Sequence, residues 1–232
     1  MDTEQVSVPE SAQRVIALVA LKGRQRRTYI AGILWPDVRD EQALTRLRTT
    51  LWRIRRLAPG LLDANEHTVE LGPDVSVDVA DLLSVGRRLV EAGLEGVGAA
   101  QNFDTLIDAA ELLLGWYDDW VITERERLGQ LRVHALEHLV DDLVRAGRFS
   151  EALQAATAAV SLDPLRESTH RAVIRVYLAE GNPASARRQF DRYRQLLRAE
   201  LGSVQPTPLM LEMLGPLAQT SGTVPFGVRP RT

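Results

Sequence analysis

The chain of 232 residues contains no cysteine and few aromatic residues, which make up 5% of its length. The absence of cysteine excludes disulfide bonds and thiolate metal sites, and it agrees with a reducing compartment. No apolar stretch is long enough to span a membrane, and the amino terminus lacks the basic and then apolar pattern of a signal peptide. We therefore predict a cytoplasmic protein without membrane association.

The charged residues are unevenly distributed along the chain. The formal net charge is −3, but residues 1–60 hold 11 Lys/Arg and 6 Asp/Glu, whereas residues 61–232 hold 17 and 25. A basic segment beside an acidic one is typical of a polyanion-binding module joined to a protein-binding module. Chance clustering of solvated arginines would give the same counts. The charge alone therefore does not distinguish a polyanion-binding module from an ordinary solvated surface.

Two segments in the carboxyl-terminal half of the chain repeat each other 34 residues apart. Gly147 is equivalent to Gly181, and Ala152 is equivalent to Ala186. This period is that of the tetratricopeptide repeat, in which pairs of helices stack to bury a shared core. The pattern predicts an all-helical array that offers a surface to a partner. Its predicted helices lie at 79–91, 103–114, 124–146 and 150–162, with a glycine-rich linker at 93–98.

Three helices and a hairpin are predicted ahead of that array. Ser11, Thr28 and Asp40 stand where amino-terminal caps are expected. The predicted helices lie at about 11–21, 28–34 and 41–57. The predicted strands lie at 61–64, 68–71 and 75–79, with a hairpin turn at 65–67. This order is that of a winged helix-turn-helix, whose last helix enters the major groove of DNA.

The third predicted helix carries the candidate DNA contacts. Leucine and isoleucine recur every three or four residues between positions 44 and 54, so they share one face. At about 100° per residue, arginine and threonine are expected on the opposite face. Arginine can donate to guanine or phosphate oxygens, and threonine can donate to a phosphate or touch a thymine methyl. The predicted contact residues are Arg46, Thr49, Thr50, Arg53 and, at the flank, Arg56.

Several runs of the sequence resemble a known family, the antibiotic regulatory proteins of the SARP type. Residues 13–21, 34–37 and 47–56 resemble the DNA-binding domain of that family. Residues 115–120 and 124–128 resemble the start of its bacterial transcriptional activation domain. The resemblance implies a winged helix of the response-regulator type followed by a tetratricopeptide-like domain. It also implies an activator that binds direct repeats upstream of promoters and contacts RNA polymerase.

Together these patterns predict a mainly α-helical protein of two domains. Residues 1–77 are predicted to form a winged helix-turn-helix domain with a small β hairpin. Residues 78–216 are predicted to form the tetratricopeptide-like bacterial transcriptional activation domain, and residues 217–232 a disordered tail. The expected partners are double-stranded DNA and, by the resemblance, RNA polymerase, and a homodimer is left open. No enzymatic activity, cofactor or metal is expected.

Two alternative functions remain open. The chain could be a protein-interaction adaptor that has lost DNA binding, because the family's amino-terminal sheet is reduced to one candidate strand at 4–8. Glu66 in the hairpin turn and Glu70 after it would also repel phosphate. A more remote alternative is a zinc hydrolase, since His134, Glu137 and His138 match the pattern of inverted zinc peptidases. The leucines among them fit core positions of the repeat, which argues against that reading.

Overall fold

The computed structural model describes residues 7–92, 99–107 and 109–215. These residues form two compact units. Of the described residues, the first unit comprises those within Met1–Leu83 and Glu111–Glu126, and the second comprises those within Ser84–Ala110 and Arg127–Thr232. The described residues are mainly helical with one small antiparallel sheet, as predicted. The predicted linker at 93–98, the predicted tail at 217–232 and residues 4–6 of the predicted first strand lie outside the described residues.

The elements follow one another in this order. The first are α1 (Glu10–Lys22), β1 (Gln25–Arg26), α2 (Arg27–Leu34), α3 (Asp40–Leu57), β2 (Leu62–Ala64) and β3 (Thr68–Leu71). They are followed by α4 (Asp78–Ala92), α5 (Ala99–Ile107), α6 (Asp119–Arg145), α7 (Phe149–Leu162), α8 (Glu167–Ala179), α9 (Pro183–Leu201) and α10 (Pro208–Leu214). No helix in the described ranges is both long and apolar enough to cross a bilayer.

In the first unit, α1, α2 and α3 pack around a core beside a three-stranded sheet. β3 is the central strand and pairs antiparallel with β1 on one side and β2 on the other. The core contains Val15 and Leu18 of α1, Ile30 of α2, and Leu47 and Ile54 of α3. Burial of these side chains holds α3 by one face and leaves its opposite face in solvent.

The third strand of the sheet is not the one that the sequence predicts. Residues 75–77 are irregular, and α4 begins at Asp78, whose Oδ1 accepts a hydrogen bond from the backbone N–H of Val79 at 2.7 Å. The additional strand is β1, which is only two residues long. So short a strand leaves no alternation of polar and apolar residues to recognise.

The predicted helix caps of the first unit are also wrong. The residues that precede α1, α2 and α3 are Pro9, Arg26 and Arg39, and none of them forms a side-chain cap hydrogen bond. Each predicted cap lies one turn or less inside its helix. Asp40 is in the first turn of α3, where a carboxylate interacts favourably with the positive end of the helix dipole.

Residues Glu111–Glu126, called here the return segment, are part of the first unit. Trp120 and Val121 at the start of α6 are buried in the same core cluster as α1 and α3. Trp116 packs edge to face against Trp120, with 6.5 Å between the ring centroids. The tryptophan-containing stretch that the sequence assigns to the second domain therefore contributes to the core of the first unit.

Charged side chains join the return segment to α1. Arg14 forms an ion pair with Asp118, and Lys22 donates to Oε1 of Glu124, which is buried. Arg125 donates to the carbonyl oxygens of the loop before α6, with distances of 3.0 Å to Leu112 and 2.9 Å to Leu113. These contacts fix the conformation of the loop as well as its position on α1.

The second unit contains the helix pairs that the repeat predicts. Gly147 lies in the turn between α6 and α7, and Gly181 lies in the turn between α8 and α9. Both adopt a positive φ, of 72° and 81°, which glycine adopts without steric cost. Ala152 and Ala186 are fully buried, so each small side chain lies where helices approach closely.

α5 ends at Ile107, whereas the sequence predicts a helix that continues to residue 114. The guanidinium group of Arg132 on α6 donates to the carbonyl oxygens of Leu106, Ile107 and Ala109, each at 2.6 Å. The last turn of a helix leaves its carbonyl groups without partners, and Arg132 supplies these partners here. The end of α5 is therefore determined by a distant residue that local sequence patterns do not reveal.

Candidate nucleic-acid interface

The exposed face of α3 is strongly basic. Five of its exposed side chains are arginines, and no carboxylate among the described residues forms an ion pair with any of them. They lie within eleven residues, or about 15 Å of helix. Such a density of unneutralised positive charge attracts a polyanion. The exposed side chains from position 45 to 56 are Thr45, Arg46, Arg48, Thr49, Trp52, Arg53, Arg55 and Arg56.

Four of the five predicted contact residues lie on that face, and one does not. Thr50 is only 4% exposed, and its hydroxyl donates to the backbone carbonyl of Arg46 at 2.9 Å. The prediction that Thr50 faces solvent is therefore wrong. The error arises because Ala43 is buried and Leu44 is only half-buried, which turns the centre of the buried face by about 25° from where the leucines alone place it. The predicted residues found exposed are Arg46, Thr49, Arg53 and Arg56.

Sequence reasoning missed an apolar residue near the middle of the exposed face, which is Trp52. Its side chain is 60% exposed, and the guanidinium carbon of Arg56 lies 5.7 Å from the centroid of its ring. Tryptophan is normally counted as a core residue, so an apolar pattern does not mark it as part of a binding face. Arg48 and Arg55, on the side of this face away from Arg46, were missed for the related reason that the face was centred wrongly.

The threonines of the exposed face use their hydroxyl protons within the helix. Thr45 Oγ1 donates to the carbonyl oxygen of Glu41 at 2.8 Å, and Thr49 Oγ1 donates to that of Thr45 at 3.1 Å. A hydroxyl bound in this way still has a lone pair to accept a hydrogen bond, but its proton is not free for a phosphate. What these residues offer a partner is an acceptor oxygen and a methyl group.

A basic cleft lies beside α3 in the same unit. Its volume is about 630 Å³, and it opens between the start of α2, the α3 helix and the β2–β3 turn. Three arginines and one carboxylate line it, so its charge favours an anion. The lining residues are Arg26, Arg27, Thr28, Leu44, Arg48, Glu66, His67 and Thr68.

The β2–β3 turn has a defined conformation and basic neighbours. Oδ1 of Asn65 accepts hydrogen bonds from the backbone N–H groups of His67 and Thr68, both at 2.9 Å, which closes an Asx turn at the predicted position. Glu70 on β3 lies 3.8 Å from the side chain of Arg24. The carboxylate that follows the turn is therefore partly neutralised, and it does not present an isolated negative charge.

The histidine pair of the zinc alternative lies elsewhere, on α6 of the second unit. His134 and His138 are exposed, but Nε2 of His134 is 2.7 Å from the guanidinium group of Arg166. Glu137 accepts a hydrogen bond from Ser168 and lies 3.5 Å from the same guanidinium group. The guanidinium group of Arg166 therefore already occupies the position that a metal ion would need between these side chains. No group of three or more potential ligands is arranged around a common point in the described ranges.

Comparison with known proteins identifies the class of protein. Residues 82–214 match the bacterial transcriptional activator domain. This match covers more than half of the chain, so the chain belongs to the family of proteins that carry this domain. The matched residues begin in α4 and end with α10.

The chain is also similar to a particular member of that class, the regulatory protein AfsR of Streptomyces coelicolor. The two are 31% identical over 224 residues, which is 91% of this chain and 22% of that relative. The chain thus spans about a fifth of the length of the curated relative it matches. The resemblance to the SARP-type regulators is confirmed by these two findings taken together.

Proposed function

We propose that the protein is a sequence-specific DNA-binding transcriptional activator that inserts α3 into the major groove. The observation that carries this proposal is the exposed face of α3, where five arginines stand without acidic partners among the described residues. The major groove is about 12 Å wide and admits an α-helix. A helix held by its apolar face against a rigid core presents its other face in one orientation, which base recognition requires.

Direct contacts to bases come from the exposed face of α3. Arg46, Thr49, Arg53 and Arg56 are retained as proposed contacts, and Arg55 is added to them, whereas Arg48 is assigned to the cleft described below. Thr50 is not proposed, because its hydroxyl is buried in the helix. Arginine forms paired hydrogen bonds with O6 and N7 of guanine, whereas a single bond to a phosphate carries no sequence information.

The cleft beside α3 is proposed to bind the phosphate backbone. Arg26 and Arg27 lie at the start of α2, where the positive end of the helix dipole also favours an anion. Arg48 lines the cleft and lies on α3 as well, so a backbone phosphate in the cleft would fix the position of the helix in the groove. Phosphate contacts of this kind set register and orientation, and base contacts then give specificity.

The second unit is proposed to contact RNA polymerase through its helix pairs. Stacked helix pairs offer an extended surface to protein partners. The family resemblance implies binding to promoter direct repeats, which would bring two copies of the chain side by side on DNA. Promoters are cytoplasmic in bacteria, so the proposal also assigns the protein to the cytoplasm. On this proposal the chain acts by binding and carries no enzymatic activity.

Binding of the full chain to genomic DNA fragments tests the proposal. Affinity for the best bound fragment is measured by fluorescence anisotropy over a range of salt concentrations. Arg56→Gln should weaken binding by about 1–3 kcal/mol if the side chain reads a base edge, or lower the salt slope by about 1 if it contacts a phosphate. Arg198→Gln, which removes an exposed arginine of α9, is the matched control and should change neither quantity.

The outcome separates this function from the adaptor alternative. Binding that depends on salt but responds equally to the two substitutions would show that α3 is not the contact. Flat binding curves on every genomic fragment, together with recovery of a protein partner, would favour an adaptor that does not bind DNA. Transcription from the bound promoter with purified RNA polymerase, with and without the protein, tests the activator function separately.

A further inference from the structure

Trp52 is an apolar side chain in the middle of a charged surface. It is 60% exposed, and it is not among the side chains that form the core cluster of the first unit. Burying a tryptophan removes a large apolar area from water, so leaving one exposed forgoes considerable stabilisation. Its position on the face of α3 opposite the core means that folding of the first unit does not use it.

The indole ring is held in place by its neighbour. The guanidinium group of Arg56 lies over the ring at 5.7 Å from its centroid, which is within the range of a cation–π contact. This contact orients the ring beside Arg56 and leaves most of its surface free. The indole ring of Trp52 and the guanidinium group of Arg56 therefore form one contact surface for a partner.

Thr45 and Thr49 extend this apolar surface along the helix. They stand seven and three residues before Trp52, so the three side chains lie on one stripe of about 10 Å. Because both hydroxyl protons are bound to carbonyl groups of the helix, each threonine contributes a methyl group to the stripe. We call Thr45, Thr49 and Trp52 the apolar stripe.

The charges beside the stripe indicate what binds to it. Arg46 and Arg53 lie along one side of the apolar stripe, and Arg48 and Arg55 lie along the other. A surface that is apolar in the centre and cationic on both edges complements the major groove, whose floor carries base edges and whose rims carry phosphates. In that groove, thymine is the base that presents a methyl group.

We propose that the apolar stripe recognises the 5-methyl group of thymine, with Trp52 as a specificity-determining residue. The inference rests on the proposed DNA binding, and it adds a readout that the arginines do not supply. Arginine distinguishes guanine through hydrogen bonds, whereas the stripe distinguishes thymine from cytosine and uracil by burial of one methyl group. The target site of this protein should accordingly contain thymine at positions that face α3.

The test removes single methyl groups from the DNA. The wild-type chain first selects its preferred duplex from a random pool, and each thymine of that duplex is then replaced in turn by deoxyuridine. At one or more positions the wild-type affinity should fall about fourfold, the value expected for one buried methyl group. Trp52→Ala should bind this duplex and its deoxyuridine form with equal affinity. Tyr117→Ala, which removes another exposed aromatic side chain of the first unit, should keep the wild-type discrimination.

A second variant and a second measurement keep the result decisive. Thr49→Ser removes only a methyl group and should reduce the discrimination at a thymine next to that read by Trp52. No loss at any thymine, or an equal loss in wild type and Trp52→Ala, would overturn the assignment. So would a Trp52→Ala chain that self-associates less in sedimentation yet still discriminates, because Trp52 would then belong to a contact between copies. A wild-type chain that selects no duplex would instead remove the proposed function itself.

Discussion

Trp120 provides a direct test of the finding that the return segment belongs to the first unit. Its side chain is 8% exposed and lies in the core cluster that contains Val15 and Leu18 of α1. Trp116 packs against its ring from the side. If the return segment were only a connection between helices, removal of this ring would cost little stability.

The structure gives an expected magnitude for Trp120→Ala. Burial of a tryptophan side chain removes about 200 Å² from water, which corresponds to about 5 kcal/mol. The indole Nε1 is buried without a hydrogen-bond partner among the described residues, and an unpaired group of this kind costs about 1–2 kcal/mol. The free energy of unfolding of the first unit should therefore fall by about 3–4 kcal/mol. Trp120→Phe removes the unpaired N–H and keeps an aromatic ring, so its loss should stay below about 1.5 kcal/mol.

Urea unfolding followed by far-ultraviolet circular dichroism measures these differences. Two compact units can unfold in two transitions, so the shift is expected in one of them. Tyr117→Ala is the matched control, because Tyr117 lies in the same segment and is 81% exposed. It should change the stability by less than about 0.5 kcal/mol. Equal and small effects of Trp120→Ala and Tyr117→Ala would refute the reasoning that joins this segment to the core.

Two further predictions concern the second unit. Burial lowers the pKa of His170 below its ordinary value of 6.5, and the neutral ring joins the carbonyl oxygen of Pro164 to the side chain of Gln189 at 2.8 and 2.9 Å. The contribution of neutral His170 to stability should be complete above about pH 6.5 and should decline as the pH falls towards the folded-state pKa. On acidification, the melting temperature of His170→Gln should therefore fall less than that of the wild type. Arg132→Met should leave carbonyl groups at the end of α5 unpaired, and amide exchange in α5 should rise by at least tenfold, whereas Arg198→Gln should leave it unchanged.

The parts of the fold that the sequence predicts are those set by local patterns. α3 is found within one residue of its predicted bounds because its leucines repeat with helical spacing and a proline and glycine follow it. The β2–β3 turn is found because Asn65 has the side chain that an Asx turn requires. Gly147 and Gly181 mark the turns of the repeat because each needs a positive φ.

The parts that the sequence does not predict depend on contacts between distant residues. β1 forms by pairing with β3. A strand of two residues is too short to show the alternation of polar and apolar residues by which strands are recognised. The end of α5 is set by Arg132, which is 25 residues from Ile107 in the chain. Burial of the return segment against α1 depends on ion pairs such as that of Arg14 with Asp118, which cross about a hundred positions of sequence.

The sequence predicts that α3 has an exposed basic face, but it does not predict every residue of that face, and the reason is geometric. An error of about 25° in the centre of the buried face was enough to include Thr50 and to omit Arg48 and Arg55, because all three lie near the boundary between the two faces of the helix. Burial of Ala43 and partial exposure of Leu44 together set that angle, and alanine gives a weak signal in an apolar pattern. Trp52 shows the opposite case, where a strong apolar signal marks a residue that does not enter the core.

The acidic residues of the hairpin are one of the two sequence features that favour a protein without DNA binding, and in the structure both have arginines near them. Glu66 lines a cleft with three arginines, and Glu70 lies beside Arg24. Electrostatic effects at the surface decay over about 8 Å at physiological salt, so nearby guanidinium groups reduce the repulsion that these carboxylates would exert on a polyanion. The basic character of the first unit then depends on where its charges lie, which their number in the sequence does not reveal.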